Sequence, residues 1–383
     1  GWMQNPVVSA FSYETLRMEM TSFAEVLLNP VAQVKFVHTV SAGYVTAAMF
    51  VLGISAWYML KGRDLAFARR SFAVAAGFGL ASVLSVIVLG DESGYEAGDV
   101  QQVKLAAIEA EWDTHEAPAA FTLFGLPNQE TMQTEAAIKV PWVLGLIATR
   151  STDEEVTGIK DILKHNERRV YSGIEAYKYL TELRGGNTSP DVIAAFERHK
   201  DDLGYGLLLK AYVENPADAT PEQIQMAVKD TIPPVAPLFW SFRIMVVAGF
   251  WMLLLIGLAF YYTARRKCGQ NKWLLRALVW SIPVPWIASE MGWFVAEFGR
   301  QPWAIGEVLP TVIATSSLQA SDLWMSLIGF IAFYTFLLVI EMYLMFKFAR
   351  LGPSSLHTGR YHHERQGGGD PALAGQPAAP LRD

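Results

Sequence analysis

In the stretch GWFVAEFGRQPW, residues 292–303, one carboxylate, Glu297, stands among aromatic residues three places before Arg300. A lone carboxylate in hydrocarbon is costly, so such a residue is usually paired, ligated or functional. Glu290, Trp293, Glu297 and Arg300 follow spacings of three, four and three, which on a helix puts all four on one face. Two chemistries fit that face. A Glu297 to Arg300 salt bridge would end the helix before Pro302; alternatively, Glu297 ligates or polarises a metal centre, with Trp293 against a flat macrocycle.

Two other stretches carry groups of the same kind. KFVHTVSAGY, residues 35–44, holds His38, the one histidine of seven that falls in an apolar run; FWSFRIM, residues 239–245, holds Arg243 and Met245. An imidazole and a thioether facing each other from two helices make a low-spin haem site and raise its reduction potential. Arg243 would then pair with a haem propionate through charge-assisted hydrogen bonds. Taken singly, His38 is equally a helix-end histidine bonded to a carbonyl, and Met245 ordinary core filling. In KLAAIEAEW, residues 104–112, Lys104 and Glu109 follow the end of an apolar run. They are either solvated loop charges or a pair able to bind a quinol hydroxyl and accept its proton.

The elements that must position these groups are apolar helices. The chain has 383 residues, 52% hydrophobic and 12% aromatic, with a positive mean hydropathy and a long polar middle. That mixture predicts an all-α, polytopic transmembrane bundle with a large, mostly helical extracytoplasmic loop. Five runs reach the roughly 20 apolar residues that a bilayer needs: 36–60, 71–90, 237–264, 273–298 and 323–346. Pro283 and Pro285 should kink the fourth. The expected divisions are an outer segment 1–35, a transmembrane hairpin 36–90, the loop 91–234, a three-helix transmembrane region 235–347 and a disordered tail 348–383 rich in Gly, Pro and Ala.

Lys61, Arg63, Arg69 and Arg70 join the first two runs, and Arg265, Arg266, Lys267, Lys272 and Arg276 join the third and fourth. Both junctions should face the cytoplasm, which puts the long loop, with 25 acidic and 13 basic residues over 91–230, outside and the C-terminus inside. His38, Met245, Arg243 and Glu297 then share the outer leaflet. Cys268 alone forms no disulfide or Cys-based metal site. In the loop, ILKHNERRVYSGIEAYKYLTELRGG predicts a helix stopped at Gly185 and Gly186, and TPEQIQMAVKD a helix start. His165 and His199 read as surface residues, and His362 and His363 as weak metal candidates. With Gly at position 1, the chain reads as a fragment or a processed form.

Five motifs in order, GWMQNPV, KFVHTVSAGY, KLAAIEAEW, FWSFRIM and GWFVAEFGRQPW, resemble subunit I of the cytochrome bd quinol oxidases over about nine-tenths of the chain. The resemblance implies that His38 and Met245 are axial ligands of a low-spin b haem with Arg243 beside it. It implies that Glu297 ligates a high-spin b haem, with Trp293 packed near the haems and Arg300 in the same cofactor-binding motif. Lys104 and Glu109 match residues of a quinol-oxidising loop in its longer version. The family adds a d haem that reduces O2 to water, without pumping protons. Its histidine ligand lies in about four preceding helices that have no counterpart in this sequence. Position 8 is Val where the family has Gly. The implied partners are oxidase subunit II, often a small single-helix subunit, ubiquinol or menaquinol, O2 and the bilayer of a bacterial inner membrane; no nucleic acid is expected. The rival expectations are an ion transporter using Glu290, Glu297 and Arg243, for which the inner halves of the spans offer only Glu341, and a haem-binding paralogue without catalysis.

Overall fold

The computed structural model describes residues 1–352 except Val8, His115, Glu116, Pro118 and Thr152. Position 8, the tail from 353 and its His362 and His363 therefore lie outside the described residues. Within them the chain forms a β-hairpin of β1 (Ser9–Ser12) and β2 (Arg17–Met20), then helices α1 (Phe23–Leu27), α2 (Pro30–Lys61), α3 (Leu65–Val100) and α4 (Gln102–Glu109). A second hairpin pairs β3 (Phe121–Asn128) with β4 (Gln133–Val140). Then come α5 (Val143–Ala148), α6 (Ile159–Arg184), α7 (Pro190–His199), α8 (Leu203–Leu207), α9 (Pro221–Asp230), α10 (Val235–Ala264), α11 (Lys272–Trp280) and α12 (Val284–Phe298). A third hairpin, β5 (Trp303–Ile305) with β6 (Leu309–Pro310), precedes α13 (Ala320–Leu351). The expectation of an all-α chain is thus corrected by three short antiparallel hairpins, each placed where polar loop sequence leaves the membrane helices.

Local signals set the helix limits. Asn29 caps α2, its side chain accepting the Ala32 N–H at 3.3 Å, with Pro30 in the first turn, where its missing N–H costs nothing. Gly62, at φ +67°, closes α2 in the left-handed conformation that favours glycine. The helix start in the loop lies where the sequence put it: Thr220 and Gln223 form a reciprocal capping box at the head of α9. The stop also holds, since α6 ends at Arg184 and Gly186 adopts φ +91°.

Helices α2, α3 and α13 and the helical stretch Pro221–Ala264 that ends with α10 are long and apolar enough to cross a membrane. The run 273–298 is no single helix. It is divided into α11 and α12 at residues 281–283, because Pro283 brings no N–H to the ladder and its ring crowds the carbonyl four residues back. The freed Ser281 hydroxyl accepts the Trp251 indole N–H at 2.9 Å, which ties the break to α10. Also corrected is the start of the tail, since residues 348–351 still belong to α13.

The membrane core forms where α2, α3, α10 and α11 meet, on Met49, Leu52, Phe72, Leu255, Ile256 and Leu278 among others. Small residues bring the helices close. A methyl group on Gly79 would lie 2.9 Å from the Ala48 Cβ, and one on Gly53 2.3 Å from Ile282. A second core joins the loop to the membrane helices through α4, α6, α10 and Val295 of α12. In the loop domain α6 crosses α8 backbone to backbone: a Cβ on Gly173 would lie 2.3 Å from the Gly206 nitrogen and from the Asp202 carbonyl oxygen. Gly173→Ala should therefore force α6 and α8 apart and destabilise the loop domain by about 1–3 kcal/mol, the usual cost of overpacking. Thermal unfolding and amide exchange along α6 check this; unchanged protection of α6 would contradict it.

Candidate functional site

Two of the site residues that the sequence singles out, Lys104 and Glu109, lie on the short helix α4 and are buried, with 6% and 3% of their surface exposed. They are not solvated loop charges. The Glu109 carboxylate accepts the Arg243 Nη2 hydrogen at 2.9 Å, which joins α4 to α10. Arg243 itself is buried and its guanidinium is used up locally. It donates to the carbonyls of Ile108 (2.8 Å), Phe239 (3.2 Å) and Thr122, and its charge sits 3.4 Å from the centre of the Phe239 ring. The arginine expected to meet a propionate is thus bonded to Glu109 and the strand β3 in this chain. Burial pushes the Glu109 carboxyl up to about 7, against the opposing pull of Arg243. Glu111, also buried, is pushed up to about 7 for the same reason.

Lys104 reaches the other way. Its Nζ donates to Gln101 Oε1 at 2.6 Å and to Gln4 Oε1 at 3.3 Å; Gln4 in turn donates through Nε2 to the Ala296 carbonyl at 3.3 Å, next to Glu297. The lysine stem lies against the backbone of the GRQPW motif, since a Cβ on Gly299 would come within 3.0 Å of the Lys104 Cγ. Burial, with Lys35 and Arg300 nearby, holds the Lys104 ammonium well below its ordinary range, against the pull of Glu297. The motifs KLAAIEAEW and GWFVAEFGRQPW, far apart in the chain, therefore form one site. Gln4 and Gln101 are members of this buried cluster that sequence reasoning missed. Gln4 was inside a quoted motif, but a glutamine near a helix end carries no pattern that distinguishes it.

The candidate haem ligands lie on the helices behind this site. His38 is half-buried on α2; its ring packs toward Gly90 of α3, where a Cβ would be 3.5 Å away, and its Nδ1 is buried without a hydrogen-bond partner. Met245 on α10 places its sulfur against α12, where a Cβ on Gly292 would come within 3.0 Å. Glu297 is partly buried and pairs with Arg300 at 2.6 Å, so the salt bridge that the spacing allowed is formed. Trp293 (65% exposed) and Glu290 lie on the exposed surface of α12. His165 is exposed, whereas His199 is half-buried, its Nδ1 2.9 Å from the Ser172 hydroxyl and its ring stacked on Tyr179. Among the described residues no three His, Cys, Asp or Glu side chains gather as a metal cluster. Haem iron needs only one or two protein ligands. An orphaned imidazole nitrogen and a thioether fit that chemistry, and the Glu297 carboxylate, held here by Arg300, is a third candidate ligand.

Above these groups a cavity of about 1530 Å³ opens between the N-terminal segment, α6 and the β5–β6 hairpin, with Gln4, Gln101, Lys104, His165, Arg169 and Arg300 on its wall. Arg169 closes its far side by bonding Asp202 and Glu307, each at 2.7 Å, which links the loop domain to the hairpin after Pro302.

Comparison with known proteins gives the family. The family model for cytochrome bd terminal oxidase subunit I matches residues 1–353. Cytochrome bd-II ubiquinol oxidase subunit 1 of Escherichia coli (strain K12) is 49% identical over 358 residues, which are 94% of this chain and 70% of that protein. Cytochrome bd ubiquinol oxidase subunit 1 of Bacillus subtilis (strain 168) is 28% identical over 351 residues, 91% of this chain and 62% of that protein. The structure of bd oxidase from Geobacillus thermodenitrificans shares the fold with a TM-score of 0.64 at 21% identity, over 92% of this chain and 65% of that one. The chain thus spans roughly two thirds of the length of these relatives, and by the near-complete match of its family model it belongs to the cytochrome bd terminal oxidase subunit I family.

Proposed function

We propose that this chain is the haem-bearing part of a membrane quinol oxidase, with quinol oxidised beside α4 and electrons leaving through the helices that carry His38, Met245 and Glu297. The observation that supports this most directly is the burial of Lys104 and Glu109 on one short helix, bonded on one side to α10 and on the other to the end of α12. Lys104 and Gln101 offer hydrogen bonds to a quinol oxygen. Glu109, with a pKa raised to about 7, is poised to take a phenolic proton near neutral pH. Arg243 keeps the carboxylate oriented through its bond from α10 and stabilises it once the proton has moved on.

His38 and Met245 would hold the iron of a low-spin b haem, and Glu297 that of a high-spin b haem, with Arg300 released from its ion pair to meet an acidic group and Trp293 available to pack on a macrocycle. The bound haems supply one-electron acceptors. This chain's residues fix their depth and separate them from water by the packing of α2, α3, α10 and α12. A d haem and reduction of O2 to water belong to the whole oxidase, whose d-haem histidine would come from outside the present sequence. Contribution to a proton gradient without pumping, partnership with subunit II and with a small single-helix subunit, and use of ubiquinol are carried by family likeness. The basic junctions after α2 and α10 support a topology with the α4 to α9 loop outside, the C-terminus inside, and α11 with α12 completing a fifth crossing.

Two outcomes are expected. Glu109→Gln in the assembled oxidase should lower quinol-dependent oxygen uptake by about 10²-fold or more while leaving the haem spectrum intact. The sign of the pH dependence follows from the raised pKa. Below about 7 the carboxyl is protonated and cannot accept, so activity with the unaltered chain should rise as pH passes upward through that value. In Glu109→Gln the rise should be absent; an unaltered profile would remove Glu109 from the proton path. Separately, reduced-minus-oxidised spectra should lose the low-spin b band in His38→Ala, and Met245→Leu should lower that haem's reduction potential. Persistence of the band at an unchanged potential in both variants would overturn the ligand assignment.

A further inference from the structure

Among the described residues, the buried side-chain nitrogens and oxygens that lack any hydrogen-bond partner are three: Lys35 Nζ, His38 Nδ1 and Arg300 Nε. They belong to one corner of the molecule. Lys35 and His38 are three residues apart on α2 and so share a face. Lys35 interacts electrostatically with both Glu297 and Arg300, and Lys104 with Lys35, Glu297 and Arg300. An imidazole with an open nitrogen is what a haem ligand requires, but a buried ammonium and a buried guanidinium N–H without acceptors are not explained by iron.

The charge of this corner is unbalanced. Three basic side chains, Lys35, Lys104 and Arg300, lie around one carboxylate, Glu297, so basic groups outnumber acidic ones in an apolar setting. A buried charge without compensation is strongly unfavourable, so an acidic group with acceptor oxygens is called for. The position of the cations says which. Lys35 precedes His38 by three residues, about 4.5 Å along α2, and Arg300 follows Glu297 by three residues in the turn just beyond α12, where the two side chains pair at 2.6 Å. On α2, which enters the bundle from the outer segment, and on the end of α12, which leads into the β5–β6 hairpin, that displacement is toward the outer domain in both cases. Porphyrin carboxylates extend from one edge of the macrocycle, and the propionates of the b haems are acidic groups of this kind.

We infer that Lys35 is a further cofactor-binding residue, which together with Arg300 forms a carboxylate cradle for haem propionates at the outer edge of the b-type sites. This rests on the proposed haem ligation by His38 and Glu297. Lys35 supplies a point charge with three donors and Arg300 a planar fork, a combination that takes two carboxylate groups at once. The arrangement also leaves Arg243, bonded to Glu109 and backbone carbonyls, free of the propionate role that its place in FWSFRIM suggests.

The experiment uses the assembled oxidase, with Lys35→Gln and Lys35→Met as neutral variants and Lys35→Arg as the charge-preserving one. Removing a positive charge beside a propionate favours the ferric state. At a fixed potential the neutral variants should show an about tenfold lower ratio of reduced to oxidised b haem, which is about 59 mV for a one-electron couple. Lys35→Arg should restore most of it. Redox-difference infrared spectra with ¹³C-labelled propionates should show the labelled carboxylate bands displaced in Lys35→Gln. Unchanged potentials and bands in haem-containing Lys35→Gln would overturn the assignment, as would a shifted potential with unmoved labelled bands, which would give the acid group to another molecule such as a lipid phosphate. Haem retention in both His38→Ala and Glu297→Ala would instead sink the underlying ligation, an outcome that the Lys35 variants do not mimic.

Discussion

The buried bond between Glu109 and Arg243 is the constraint around which the loop-bearing half of this chain is organised. Neither charge could be carried alone at that depth, because an isolated buried ion costs several kcal/mol even after the protein relaxes. Arg243 therefore stays where Glu109, the Ile108 and Phe239 carbonyls and the Thr122 carbonyl of β3 all converge on it. That convergence fixes α4 against α10, places the β3–β4 hairpin over the same spot, and sets the stretch that carries Lys104 at a defined height. Lys104 can then lie along Gly299 and reach Gln4, and through Gln4 the end of α12. The chemistry at the two ends of α4 differs in sign, with a buried carboxyl at one and a destabilised ammonium at the other, both on a helix of eight residues.

Much of the fold was legible in the sequence, for a reason that membrane proteins share. A bilayer allows little besides long apolar helices, so hydropathy located α2, α3, α10 and α13, although α3 (Leu65–Val100) extends well past both ends of the run 71–90. What hydropathy cannot see is continuity. The run 273–298 has the length and composition of a span, and only the two prolines hinted that its ladder would be interrupted at 281–283. The hairpins were missed because β3 and β4 owe their pairing to the fixed ends provided by α4 and α10 rather than to a clear alternation of their own; register shifts interrupt the pairing between Thr122 and Leu126.

The site was legible as residue types and illegible as partnerships. His38, Met245, Glu297, Lys104 and Glu109 stood out because each is chemically unusual for its surroundings, and the salt bridge between Glu297 and Arg300 followed from their spacing alone. That Arg243 would meet Glu109, 134 positions away, has no local signal. Gln4, Gln101 and Lys35 escaped notice for a related reason. Polar side chains near the ends of helices are ordinary, and their importance here comes from being enclosed by segments distant in the chain.

The interruption between α11 and α12 has a mechanical meaning. The first half is locked into the membrane core by Leu274, Leu275 and Leu278, while the second half, hinged beyond Ser281, carries Glu297 at its far end. A continuous rod would transmit any tilt of the anchored part to the carboxylate, amplified by its length. A jointed rod lets the anchor be repacked without re-aiming the tip, so substitutions in the leucine-rich half are free to tune stability in different membranes while the Glu297 carboxylate keeps its bearing.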